Sequence, residues 1–149
     1  MGPFFALGPW DEPYLTIEDK PVTLNDIEHR ILRPIWQDHR LHFVLNCASI
    51  GCPNLSQTAY DAASIAQQLA NAQTAFLQHP RAISFTNKGR LQLTSLFDWY
   101  LTDFAPDVSE LLAYLAVQRP DLAADLAAMG GNANAKIDYV YDWDLNVVD

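Results

Sequence analysis

The sequence predicts an α+β fold: a small antiparallel or mixed sheet packed with several helices. Short runs with strand character lie at 14–17, 82–85, 91–93 and 136–143. Between them stand longer segments with apolar residues at helical spacing, at 57–78, 108–118 and 121–129. Strands and helices thus follow one another without the regular βαβ alternation of a parallel α/β sheet. A chain of 149 residues, half of them hydrophobic and 18% charged, fits a single domain over 1–149 with one core, burying about 70% of the surface of the unfolded chain.

Residues 1–13 read as a loop because Pro3, Pro9 and Pro13 interrupt regular structure. Tyr14-Leu15-Thr16-Ile17 alternates as a strand does and turns at Glu18-Asp19-Lys20-Pro21. Thr23 with Asp26 three positions on forms a capping box, and Leu24, Ile27 and Ile31 follow at helical spacing. That helix should stop near Arg33, since Pro34 disfavours helical angles in its predecessor. At about 100° per residue, Glu28 falls among Leu24, Ile27, Ile31 and Leu32 on the packed arc, with His29 at its margin. A carboxylate there needs a partner or a proton, because an unpaired buried charge costs several kcal/mol or more.

Residues 41–45 carry apolar side chains of both parities, which predicts a strand covered on both faces, with a loop over 46–53 at its end. A helix over 57–78 is capped by Ser56, buries Ile65, Leu69, Ala72, Phe76 and Leu77, and stops at Pro80. The segments flanking Asn87-Lys88-Gly89 form a hairpin. Ser95 and Asp98 make a second capping box, opening a short helix through Phe97, Trp99, Tyr100 and Phe104. Pro120 separates the helices at 108–118 and 121–129, and Gly130 closes the second.

Composition excludes some functions. The net charge of −9 argues against nucleic acid, which wants a basic face. No run of about 18 apolar residues exists to span a membrane. The apolar opening lacks the basic start of a signal peptide, and Pro3 and Ala6 break a myristoylation pattern. This leaves the cytoplasm as the default compartment. Against the acidic background, residues 28–53 sum to about +1 and hold three of the four histidines and both cysteines. Chemistry is expected there.

Cys47 stands at a strand-to-loop corner near Arg40 and His42, where a thiolate nucleophile could be exposed and held still. Asn46, Ser49 and loop N–H groups could hold a polarised oxygen. The bland reading of Cys47 is a small buried core residue. If 42–47 is extended, the Cα atoms of His42 and Cys47 lie roughly 16 Å apart, so His29 on the preceding helix is the preferred base and His42 the alternative. Glu28 would position the site through backbone or Arg groups. Metal is the rival chemistry: Cys47 and Cys52 with His29, His42 or Glu28 could bind zinc, although the pair spacing is loose. The cysteines make no disulfide framework. His39 and His79 look loop-like and unpartnered, and Trp99 and Trp143 look like core.

The runs 24–33 and 41–53 resemble the DUF547 family of uncharacterised bacterial and plant proteins, as do Tyr60-Asp61-Ala62, 94–100, Asp103-Phe104 and 141–146. The resemblance implies a set of Glu28, His29, His42 and Cys47 in a domain akin to papain-like or transglutaminase-like cysteine hydrolases. In plant-like members the position of Cys52 is similar to serine, which favours Cys47 as nucleophile over a metal pair. Family members carry further helices upstream, so this chain is expected to be the later part of such a domain, with Phe4-Phe5-Ala6-Leu7 covering the gap or meeting a partner or second copy. Bacterial relatives are often exported. The expected function is a cofactor-free cysteine hydrolase or acyl-transferase acting on an amide or thioester bond of a peptide or small molecule. A non-catalytic binding module and a structural zinc site are the alternatives.

Overall fold

In the computed structural model, which describes residues 8–129 and 136–147, the chain forms two units, 1–38 and 39–149. The Phe4–Leu7 segment and Gly130 lie outside the described residues. The α+β class holds, with helices beside a two-stranded and a three-stranded sheet.

The first unit begins with a 3-10 turn, Pro9–Asp11, followed by β1 (Leu15–Ile17) and β2 (Lys20–Val22), which pair antiparallel. Glu18 and Asp19 join them with φ of 49° and 61°, the left-handed pair that suits a two-residue hairpin turn. The first capping box forms: the Thr23 amide donates to Asp26 Oδ2 at 3.1 Å, and the Asp26 amide donates to Thr23 Oγ1 at 2.9 Å. Contrary to expectation, the helix does not stop at Arg33. It is wound as a π-helix over Asp26–Leu32, with the Arg33 amide donating to Glu28 five residues back. It continues as α1 (Arg33–Trp36) until Gln37, in left-handed conformation, ends it. Pro34 sits in the first turn of that α segment, directly after the π-wound stretch. Glu28 is buried, at 6% exposure, as its place on the apolar arc required.

The second unit opens with a correction. Residues His39–Phe43 form a 3-10 helix, with Val44 and Leu45 both donating to the Leu41 carbonyl, instead of a strand over 41–45. A short apolar run fits either period, and here local hydrogen bonds decided it. α2 spans Ile65–Leu77, shorter than the predicted helix at its start. The Asp61 carboxylate accepts from the amides of Ala63 and Ser64 and holds that segment as a turn. β3 (Ile83–Phe85) and β4 (Leu91–Thr94) form the predicted hairpin, with Gly89 at φ 71°.

β5 (Ile137–Val140) lies parallel to β4, so the sheet is mixed in the order β3-β4-β5. A parallel pair needs a long crossover. It is supplied by α3 (Leu96–Trp99), α4 (Leu101–Phe104), α5 (Val108–Gln118), a 3-10 turn at Pro120–Leu122 and α6 (Ala123–Ala127). The second capping box does not form, and Asp98 bonds to the Ser95 carbonyl through its amide. Ser95 is itself pinned beneath β5, its amide donating to Val140 at 2.9 Å. Asp107 is a cap the sequence reading missed, accepting from the Glu110 amide at 3.0 Å.

The core of this unit lies between sheet and helices. Phe43, Leu77, Leu91, Leu93, Phe97, Leu111 and Leu115 are each at most 1% exposed. Phe43 packs its ring against Phe76, Phe97 and Phe104, which is what anchors the stretch leading to Cys47.

Arg90 grips Asp138 with two hydrogen bonds, 2.8 Å from Nε and 2.6 Å from Nη2, joining the hairpin to β5. The guanidinium holds the Asp138 carboxyl below its usual value. A depressed carboxylate stabilises the fold above its unfolded pKa, about 3.9, and loses that contribution as pH falls through the folded value. Arg90→Gln should therefore lower the melting temperature at pH 7, and the gap to the native chain should narrow by pH 2.5. An unchanged gap across that range in thermal denaturation would refute the pairing.

Candidate functional site

The loop after the 3-10 helix is closed by its own side chains. Asn46 accepts from the Ala48 amide at 3.0 Å and donates from Nδ2 to the Pro53 carbonyl at 2.8 Å. Ala48 takes a positive φ of 65°, and the Cys52 amide donates to the Ser49 carbonyl at 3.1 Å. This turn brings the Cα atoms of Cys47 and Cys52 to 6.0 Å, and their sulfurs are bonded to each other. The expectation of no disulfide framework is corrected: the tight turn, not the sequence spacing, makes the pair.

The C-terminal segment lies antiparallel along this loop. Ile50 donates to Asp144 at 2.8 Å, Gly51 to Asp142 at 2.9 Å, and Asn146 to Ala48 at 2.7 Å, with Ser49 and Leu145 bridged. Tyr141, just past β5, thereby places its hydroxyl 2.9 Å from Cys47 Sγ, 3.1 Å from Cys52 Sγ and 2.8 Å from Ser49 Oγ. Ser49 Oγ is also 3.4 Å from Cys47 Sγ. A disulfide sulfur has no proton, so in each contact with sulfur the hydroxyl is the donor, and the single Tyr141 proton serves one acceptor at a time. Burial pushes the Tyr141 phenol above its ordinary value, partly offset by the Ser49 hydrogen bond and the nearby Arg81 charge. Cys47 is half-buried, whereas Cys52 is only 4% exposed.

Arg81 braces the far side of the loop, donating from Nη1 to the Ile50 carbonyl at 3.1 Å and from Nη2 to Asn54 Oδ1 at 2.7 Å. Its guanidinium carbon stands 5.5 Å from the centre of the Phe76 ring. Burial pushes its pKa down. It lines a cavity of about 430 Å³ together with Ile50, Gly51, Tyr141 and Trp143. A groove of about 320 Å³, lined by Pro53, Asn54, Phe76 and His79 among others, shares the same arginine.

The predicted site residues divide between the units. Cys47, Ser49 and Asn46 come together in the loop, and His42 belongs to the same unit. His42 is buried, with Nε2 at 2.8 Å from Asp103 Oδ2 and its ring stacked on Tyr100 at 4.1 Å. The 3-10 winding removes the premise of the roughly 16 Å separation, since such a helix rises only about 2 Å per residue. Glu28 and His29 belong to the first unit. Their side chains are 3.8 Å apart, beyond a hydrogen bond, while Arg33 Nη1 is 3.0 Å from His29 Nδ1. Arginine only donates, so Nδ1 accepts and its lone pair is engaged.

Among the described residues, no cluster of three or more His, Cys, Asp or Glu could hold a metal ion, and no helix is long and apolar enough to cross a membrane. Two lesser expectations are corrected. Trp99 and Trp143 are not core but 46% and 70% exposed, edging Tyr141 at 4.8 Å and 4.7 Å. His39 is not a bare loop residue, since its ring meets Phe104 and Tyr114. Tyr141, Asp103 and Arg81 were not singled out as site residues by sequence reading. Tyr141 and Asp103 fell within the resemblance, and Arg81 carried no signal.

Fold and site together define an α+β protein built around a disulfide loop with hydroxyl donors on its sulfurs. The family model described as protein of unknown function, DUF547, matches residues 6–77, bearing out the resemblance carried by 24–33 and 41–53. No curated protein and no solved structure matches.

A Cβ on Gly51 would meet the backbone N and O of Asp142 at 2.9 Å and Tyr141 Cδ2 at 3.0 Å. Gly51→Ala should thus destabilise the fold by about 1–3 kcal/mol in urea denaturation. Gly8→Ala, with nothing among the described residues within 4 Å, should change stability by less than about 0.5 kcal/mol. Equal effects of the two would contradict the close approach.

Proposed function

We propose that the chain, once its disulfide is reduced, is a cysteine-dependent hydrolase or acyl-transferase acting on an amide or thioester bond. The observation that carries this reading is the Tyr141 hydroxyl, 2.9 Å from Cys47 Sγ. A hydroxyl so placed donates to a thiolate and favours the charged, nucleophilic form. Cys47 attacks the carbonyl carbon, the C–N or C–S bond breaks, and water or another acceptor releases the acyl group.

His42 is the base favoured over His29. Asp103 accepts from its Nε2–H and orients the ring, as a carboxylate does behind a catalytic imidazole, whereas the His29 nitrogen that could take a proton faces Arg33. Asn46 is tied to Ala48 and Pro53, so its role is to shape the loop. The amides of Cys47, Ala48, Ile50, Gly51 and Cys52 are likewise engaged, so polarising a carbonyl oxygen falls to the Ser49 hydroxyl. Glu28 is buried in the first unit and has no part in this step.

A second reading draws on the exposed Trp99 and Trp143 beside the cavity: a non-catalytic module that binds through aromatic faces. The two readings separate experimentally. After reduction, iodoacetamide should modify Cys47 with an apparent pKa clearly below the 8.5 or so of free cysteine. Cys47→Ala should abolish turnover of a thioester panel, and His42→Ala should reduce it by about 10²-fold or more. Labelling that proceeds only on unfolding would refute the enzyme. Binding that survives Cys47→Ala but not Trp143→Ala would establish the module.

A further inference from the structure

The two sulfurs differ in a way that bracing a loop does not require. Cys47 is half-buried, while Cys52 is 4% exposed. The Tyr141 hydroxyl stands within reach of either sulfur, 2.9 Å from Cys47 Sγ and 3.1 Å from Cys52 Sγ, whereas the backbone amide of Cys47, at 3.0 Å, is aimed at Cys52 Sγ. In thiol–disulfide exchange the rate depends on which sulfur is reached and on how well the departing sulfur carries negative charge. Access selects Cys47 as the sulfur attacked. Hydrogen bonding selects Cys52 as the one that leaves.

We propose that Cys47–Cys52 is a thiol–disulfide exchange couple whose substrates are small or protein dithiols. An incoming thiolate forms a bond to Cys47 Sγ as the Cys47–Cys52 bond breaks, and the electron pair of that bond moves onto Cys52. The resulting thiolate is held by the Cys47 N–H and the Tyr141 O–H. The second thiolate of the dithiol then attacks its own sulfur in the mixed disulfide, closing the dithiol into a disulfide and releasing Cys47 as thiolate. Two electrons pass from the dithiol to the couple, and protons from solvent complete the two thiols. In the opposite direction the couple is re-formed by a disulfide of the same class. The exchange stands independently of the hydrolase reading. Its consequence, that the couple switches the Cys47 nucleophile on and off, rests on that reading.

The test uses the full chain under native conditions. Brief exposure to glutathione, acid quenching and peptide mass mapping should find the adduct on Cys47. Offered oxidised glutathione, whose disulfide a lone thiolate attacks with release of one glutathione thiolate, Cys52→Ser should form a one-to-one adduct on Cys47, whereas Cys47→Ser should react at least tenfold more slowly. Tyr141→Phe, folded by circular dichroism, should be reduced by dithiothreitol about threefold to tenfold more slowly, the loss of one hydrogen bond to the departing thiolate. If Cys52→Ser fails to fold, the adduct position in the native sequence decides. Adduct on Cys52, reduction only at denaturant concentrations that unfold the chain, or a wild-type rate for Tyr141→Phe would each overturn the proposal. Exchange at Cys47 without thioester turnover in the reduced protein would refute the hydrolase and leave the couple standing.

Discussion

The site depends on the backbone clasp between residues 48–51 and 142–146. Its hydrogen bonds from Ile50, Gly51 and Asn146 fasten the cysteine loop to a segment more than ninety positions later. The later half of the clasp follows β5 directly in the chain. β5 is held in register against β4, with Thr94 opposite Val140, and the next residue is Tyr141. Sheet register therefore fixes where the phenol points, and the clasp fixes where the sulfurs lie. Gly51 permits this approach, because any Cβ there would strike the Asp142 backbone.

What the sequence revealed was what local chemistry writes. The Thr23 and Asp26 box, the hairpin around Gly89, the helix at 108–118 and the inward turn of Glu28 depend on neighbours within a few positions, and all are present. Residues 41–45 were misread because a short apolar run satisfies a strand and a 3-10 turn alike, and Phe43 is buried in either. The start of α2 was misplaced because the Asp61 side chain competes for backbone amides that a propensity count assigns to the helix.

The chemistry was half legible for the same reason. Cys47 and its loop stood out by composition, but the groups that act on them come from afar: Tyr141 is 94 positions from Cys47, and Asp103 is 61 from His42. No periodicity links such pairs. The histidines illustrate the point. Sequence distance made His29 the better base, yet its neighbour on the helix, Arg33, occupies the accepting nitrogen, while the histidine that distance disfavoured stands against a carboxylate. Choosing between imidazoles required knowing what faces each ring.

A cross-link that closes so short a loop removes little freedom from the unfolded chain, about 2 kcal/mol on the chain-entropy account. Here even that is partly redundant. Asn46 ties both ends of the loop, the Cys52 amide bonds back to Ser49, Arg81 holds Ile50 and Asn54 from outside, and the clasp holds the middle. A loop closed so many times without covalent help keeps its shape when the S–S bond is broken. Reduction removes one closure among several and leaves two thiols beside the Tyr141 and Ser49 hydroxyls. That is the condition under which one short turn can serve both as an electron-exchange couple and as the seat of a nucleophile.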